Sequence, residues 1–319
     1  MAGVPVRLHP QSVRFLELLA RMAPPPGPEP SIEQMRRNMW RQPYLGAQPG
    51  LPLVADQVVA GPAGDIPVRV YSPSPDRALP ALVYFHGGGW VLGDIDSVDP
   101  LCRDLARAAG CVVINVGYRL APEHPFPAAV EDCWAVTAGV LGDPGRYGVD
   151  PRAVAVAGDS AGGNLATVVA ALARDEGAAL AHQLLVYPVT DAAMDTQSYK
   201  DFAREYGLDA DVMAWFIDMY AAGGDRTDPR LAPLRATDLS GTAPATVITA
   251  ECDVLRDEGE AYAARLAAAG VDVALRRFDG VVHSFFVLPE IFDAAGEARD
   301  WAVGRLRAAF AARMEGSAA

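Results

Sequence analysis

Lysine is almost absent from this chain: Lys200 is the only one in 319 residues. No G-K-[ST] loop exists, which removes the P-loop way of cradling phosphate. Positive charge is scarce overall. The 27 Lys and Arg stand against 40 Asp and Glu, for a formal charge of −13. That balance argues against nucleic acid as a partner and against stable docking on an anionic membrane. Long apolar runs are missing too. Phe15 to Ala23 is interrupted by Glu17 and Arg21, and nothing reaches the roughly 18 uninterrupted apolar residues of a membrane span. Met1 to Pro10 carries no cationic and apolar signal pattern. The four cysteines, Cys102, Cys111, Cys133 and Cys252, have no C-x-x-C spacing. Reduced, mostly buried thiols in a cytoplasmic protein are therefore expected.

What is present is apolar residue in quantity. Hydrophobic residues make up 51% of the chain, enough for one large α/β unit with insertions. Residues 57–60 and 66–71 alternate about a Gly/Pro turn and predict a β-hairpin. Beyond them, apolar runs of four to six residues recur between helical patterns. Strands are predicted over 81–85, 111–116, 153–157, 184–187, 245–249 and 273–278. Helices are predicted over 100–109, 128–141, 165–173, 259–269 and 294–312. Short apolar strands bounded by helices predict a mainly parallel sheet covered on both faces. Residues 1–45 are helix-like with a proline break, Pro24-Pro25-Pro26-Gly27-Pro28, and Ser31 is placed to cap a helix over Ile32 to Arg41. Residues 190–228 interrupt the rhythm with aromatics on helical spacing. The expected organisation is an N-terminal cap (1–45), a catalytic unit in two parts (46–189 and 229–319), and a cap insertion (190–228).

Two glycine-rich signals carry the chemistry. Gly158-Asp159-Ser160-Ala161-Gly162 is a G-x-S-x-G turn, and His86-Gly87-Gly88-Gly89-Trp90 is an HGGG loop. With ten serines, the first is expected by chance roughly 0.1 times in such a chain; with five histidines, the second roughly 0.004 times. Context sharpens both. Ser160 sits between a buried apolar run and a helix pattern, as a nucleophile elbow requires. Three glycines after a buried strand offer bare backbone N–H groups to a developing oxyanion, with the Ala161 N–H as a third donor. The expected donors are Gly88, Gly89 and Ala161.

A serine hydroxyl needs a base. Of His9, His86, His124, His182 and His283, only His283 stands at a strand end after a glycine, in Gly280-Val281-Val282-His283. Asp253, just past the strand 245–249, is the preferred orienting acid, with Glu251, Asp257 and Glu258 as nearby competitors. Asp159 is expected to be structural, bonding within the elbow. All these segments follow predicted strands, at the sheet edge where open α/β sheets bind ligands.

The motifs resemble those of the hormone-sensitive-lipase-like esterases, the GDSAG branch of bacterial carboxylesterases. The matching segments are His86 to Trp90, Tyr118 to Ala129, Gly158 to Asn164, Asp253 to Glu258 and His283 to Phe285. The resemblance implies an α/β-hydrolase with a helical cap. It implies Ser160 as nucleophile, His283 as base, Asp253 as acid, and no metal or cofactor. Gly117 departs from the family's usual acidic residue, which is expected to loosen the Arg119 interaction. Val254 replaces a usual proline. Trp40, Trp90, Phe202, Tyr206, Trp215 and Phe216 are candidate walls of the substrate pocket.

The expected reaction is hydrolysis of short- to medium-chain acyl esters, the expected partner a small-molecule ester. A second copy of the chain, as a homodimer, is a further candidate partner. An amidase or lactonase would use the same triad. A non-catalytic binding protein of this fold would have lost the serine or the histidine, and both are present.

Overall fold

The computed structural model describes residues 7–22, 30–39 and 50–315. Eight strands form one sheet in the order β1-β2-β4-β3-β5-β6-β7-β8. The hairpin is β1 (Leu53–Gly61) and β2 (Gly64–Ser72), antiparallel to each other, and β2 is antiparallel to β4 (Val112–Val116). The remaining neighbours are parallel: β3 (Leu79–Phe85), β5 (Val149–Asp159), β6 (His182–Val186), β7 (Ala245–Cys252) and β8 (Val273–Val282). Interior strands such as β4 and β6 are buried along their whole length. That is why they read as unbroken apolar runs, whereas the edge strand β1 is largely exposed or half-buried.

Helices α1 (Pro10–Met22) and α2 (Ile32–Met39) precede the sheet. Ser31 caps α2 as expected: its Oγ accepts the Gln34 N–H, and Gln34 Oε1 accepts the Ser31 N–H. The expected end of that helix at Arg41 lies outside the described residues. Helix α3 (Asp99–Ala109) crosses from β3 to β4, and α4 (Ala128–Gly142) returns from β4 to β5. Helix α5 (Ala161–Asp175) follows β5. The short α6 (Gln197–Asp201) and α7 (Ala210–Ala221) both lie in the long β6–β7 crossover. Helix α8 (Arg256–Ala268) connects β7 to β8, and α9 (Asp293–Glu315) ends the described chain.

The strand order explains where a ligand goes. From β3 the chain moves one way to β4; from β5 it moves the other way to β6. Right-handed crossovers in opposite directions put helices on opposite faces. Accordingly α3 packs on α9, and α4 packs on α5. The reversal occurs between β3 and β5, which are neighbours. A crevice opens there at the strands' carboxyl ends. The HGGG loop leaves β3 and Ser160 leaves β5, so both stand at that crevice.

Candidate active site

Ser160 sits between β5 and α5 with φ 57° and ψ −120°, a conformation few side-chain-bearing residues adopt. Such strain costs ~1–3 kcal/mol and persists only where neighbours over-determine it. Here the turn is locked by close packing. A Cβ on Gly162 would fall 1.9 Å from the Phe85 carbonyl oxygen, so the helix start can lie against β3 only as glycine.

The structure brings Ser160, His283 and Asp253 into one hydrogen-bonded chain. His283 Nε2 is 3.0 Å from Ser160 Oγ, and His283 Nδ1 is 2.7 Å from Asp253 Oδ2. A carboxylate only accepts, so Nδ1 carries the proton and Nε2 is left to accept from the serine hydroxyl. Asp253 Oδ1 accepts the Leu255 N–H at 3.0 Å, which fixes the carboxylate plane. All three side chains are buried. The Tyr187 ring packs against the His283 ring, centroids 4.6 Å apart.

The competing acids have other work. Glu251 Oε2 accepts the Gly280 N–H, and Asp257 Oδ2 accepts the Ser198 N–H. Glu258 Oε1 accepts the N–H groups of Thr190 and Asp191, and burial pushes its carboxyl well above the usual carboxylate range. The other histidines stand apart. His9 and His124 are exposed. His182 Nε2 meets Thr246 Oγ1 inside the sheet. Burial pulls His86 down to about 4, so its ring stays neutral while it stacks on Tyr118.

The glycine loop is held in place from below. Asp159 Oδ1 accepts both the Tyr84 hydroxyl at 2.8 Å and the Gly87 N–H at 3.1 Å. Asp159 is therefore structural as expected, and beyond the bond to its own backbone it ties the elbow to the HGGG loop. Burial raises its carboxyl, while the bonds from Tyr84 and Gly87 act the other way. Above the tie, the N–H groups of Gly88, Gly89 and Ala161 enter no backbone hydrogen bond among the described residues. Gly88 and Gly89 line the same cavity as Ser160 and His283.

Arg119 is a correction. Its Nε and Nη2 reach Asp132 at 2.9 and 2.8 Å, and its N–H bonds the same carboxylate. Asp132 closes on the arginine without help from position 117, so Gly117 does not loosen it.

The cavity beside Ser160 measures about 330 Å³. Of the candidate walls, Phe216 lines it. The others do not. Trp90 is buried under the loop, stacked on Tyr220 at 4.3 Å. Phe202 is buried beneath the Arg256 guanidinium and edge-on to Tyr206, and Trp215 packs beside Phe216 without lining the cavity. Trp40 lies outside the described residues. The apolar lining comes instead from Phe15 and Leu19 of α1, Leu208 and Met213, and Val287 and Leu288 after the histidine. The sequence showed residues 15–23 as an interrupted apolar segment, with nothing to say what it covers. The rest depends on which way each segment turns in space. A roomier hollow of about 610 Å³ opens on the other side of His86, between Arg69 and Leu120, and contains neither Ser160 nor His283. Size alone would misplace the site.

A family model described as alpha/beta hydrolase fold matches residues 82–287. The chain belongs to the hormone-sensitive-lipase-like α/β-hydrolases. Among curated relatives of this hydrolase is the carboxylic ester hydrolase LipN of Mycobacterium tuberculosis, 44% identical over 80% of this chain and 70% of that protein. Ethyl acetate hydrolase of Pseudomonas putida is 44% identical over 73% and 75% of the two chains. Among solved structures, a thermostable esterase from Pseudomonas putida ECU1011 superposes with a TM-score of 0.91 at 37% identity, covering 97% of this chain and 99% of that one. An ester-hydrolase from the metagenome of Lake Arreo, complexed with a bipyridine phosphonate derivative, gives a TM-score of 0.91 at 39% identity, with 95% and 99% covered.

One substitution probes the loop of this hydrolase directly. Gly89 has φ +60°, and an added Cβ would lie 2.2 Å from Phe216 Cγ. Gly89→Ala must displace either the donor or the ring. A loss of kcat on the order of 10²–10³ is expected, the effect of misplacing one oxyanion donor. Adding Phe216→Ala removes the clash and should recover part of that loss. A Gly89→Ala enzyme with full kcat would remove Gly89 from the site.

Proposed function

We propose that this protein is a serine carboxylesterase that hydrolyses short- to medium-chain acyl esters through an acyl-enzyme intermediate. The unbroken Ser160–His283–Asp253 hydrogen-bond chain at the mouth of an apolar cavity carries the reading. Ser160 Oγ attacks the ester carbonyl as His283 Nε2 takes its proton. The Gly88, Gly89 and Ala161 N–H groups receive the oxyanion. His283 then passes the proton to the departing alcohol. Water repeats the sequence on the acyl-enzyme, and the carboxylic acid leaves. Relatives named as ester hydrolases support esters over amides as the acyl donor.

The ester is the partner this reading requires. No helix among the described residues is long and apolar enough to cross a membrane. The four cysteines are buried and free, which fits a reducing compartment, and a cytoplasmic location is part of the proposal. Helices α1 and α7 together play the part of a cap, since Phe15, Leu19, Met213 and Phe216 close the cavity.

A cavity near 330 Å³ is at the small end of ligand sites. Each buried methylene contributes ~0.8 kcal/mol until the wall is met. On a p-nitrophenyl ester series, kcat/KM is expected to peak between butyrate and octanoate and then fall steeply. Phe216→Ala should move the peak toward longer chains. Phe202→Ala should leave the peak in place and instead cost about 3–5 kcal/mol of stability, because that ring is buried away from the cavity. A peak that moves with Phe202 and not with Phe216 would contradict the assigned wall. An arylamide in the same panel tests ester against amide.

A further inference from the structure

We infer that Ser12 and Gly280 set the acyl selectivity of the site from a distance, by fixing where helix α1 stands. The inference rests on the esterase reading. Helix α1 contributes Phe15 and Leu19 to the cavity beside Ser160. Ser12, Phe15 and Leu19 are spaced i, i+3, i+7 and so share one helix face. Ser12 is a fully buried hydroxyl on that otherwise apolar stripe. Its Oγ does not bond back to its own helix. It donates at 2.7 Å to the carbonyl oxygen of Gly280, near the end of β8. The same oxygen accepts the His9 N–H at 2.8 Å, just ahead of the helix. One carbonyl thus sets both the height and the rotation of α1.

Gly280 is built for this contact. Its φ is +68°, and a Cβ would lie 2.8 Å from both the Arg7 carbonyl oxygen and the His9 nitrogen. Its own N–H is held by Glu251 Oε2 at 2.6 Å, which keeps the carbonyl aimed at the helix. The pairing of β7 with β8 shifts register between Ala250 and Cys252, and this irregularity frees the Gly280 carbonyl from the ladder. Helix α1 is also tied where the Phe15 ring meets Phe292 edge-on at 5.4 Å and where Gln11 Oε1 accepts the Asp293 N–H. Phe15 shares the Ser12 face and Gln11 adjoins Ser12, so these ties keep α1 docked, while loss of the Ser12 bond leaves its height and rotation less closely fixed. Ser12 and Gly280 are positioning residues, since neither lines the cavity.

The test is an ester series from acetate to octanoate on wild type, Ser12→Ala, Gly280→Ala and Ser12→Thr. With α1 less closely fixed the wall recedes. The octanoate-to-acetate ratio of kcat/KM is expected to rise by about fourfold or more in Ser12→Ala and Gly280→Ala, the equivalent of one extra buried methylene. Acetate turnover should stay within about twofold of wild type, because a short acyl group never meets the wall. Ser12→Thr keeps the hydroxyl and should keep the wild-type ratio. Ser12→Ala is the gentler change and serves if Gly280→Ala folds poorly. An unmoved ratio in folded, active Ser12→Ala enzyme overturns the inference. So does an equal loss on every ester, which is what a merely structural contact would give. A wild type inactive on every ester overturns the esterase reading and this inference with it.

Discussion

Ser160→Ala is expected to lower kcat on any hydrolysed ester by on the order of 10⁶-fold, leaving the remnant that binding and the oxyanion donors supply. The reason is local. Ser160 Oγ is the group that His283 Nε2 faces at 3.0 Å, and alanine offers nothing for the imidazole to deprotonate. The fold should be untouched. The elbow is held by the glycine packing and by the Asp159 tie to Gly87, neither of which uses the hydroxyl. Far-ultraviolet circular dichroism and thermal midpoint should therefore match wild type. A folded variant that keeps more than a tenth of the activity contradicts the assignment of Ser160.

Asp253→Asn should cost roughly 10⁴-fold in kcat. Asp253 Oδ2 now accepts from His283 Nδ1 at 2.7 Å. An asparagine amide would donate toward that nitrogen, push the ring proton onto Nε2, and leave Ser160 facing a donor instead of a base. Glu251→Gln is the control. Glu251 spends its Oε2 on the Gly280 N–H, and glutamine keeps an oxygen there, so turnover of a short ester should be little changed. Should Glu251→Gln be the crippled enzyme, the acid has been misassigned.

Much of the candidate site's geometry was legible in the sequence because it depends on strand ends. Parallel interior strands are buried on both faces, so 81–85 and 153–157 show as apolar runs. Ser160 and Asp253 each follow such a run, His283 follows the partly exposed edge strand β8, and the fold brings all three strand ends to one sheet edge. The substrate pocket was not legible in the same way. Trp215 and Phe216 are adjacent aromatics on α7, yet their side chains point about 100° apart and only Phe216 meets the cavity. Aromatic character predicts burial, not which partner covers the ring: Phe202 is buried under Arg256, Trp90 against Tyr220. The tie from Asp159 to the glycine loop was hidden for a related reason. Its partners Tyr84 and Gly87 are more than seventy positions away and become neighbours only because β3 pairs with β5. Ser12 is the extreme case, a small polar residue in an apolar stripe whose bond closes across 268 positions.

The central claim is covalent catalysis at Ser160, and one measurement addresses it without reference to any natural substrate. The protein is incubated with excess p-nitrophenyl alkylphosphonate, p-nitrophenol release is followed, and the product is mapped by peptide mass spectrometry. The phosphonyl group mimics the tetrahedral intermediate and cannot be turned over. The account predicts stoichiometric p-nitrophenol release, complete loss of esterase activity, and a single adduct on the peptide containing Ser160. Activity lost with the adduct on another residue, or activity retained with Ser160 fully modified, would contradict it.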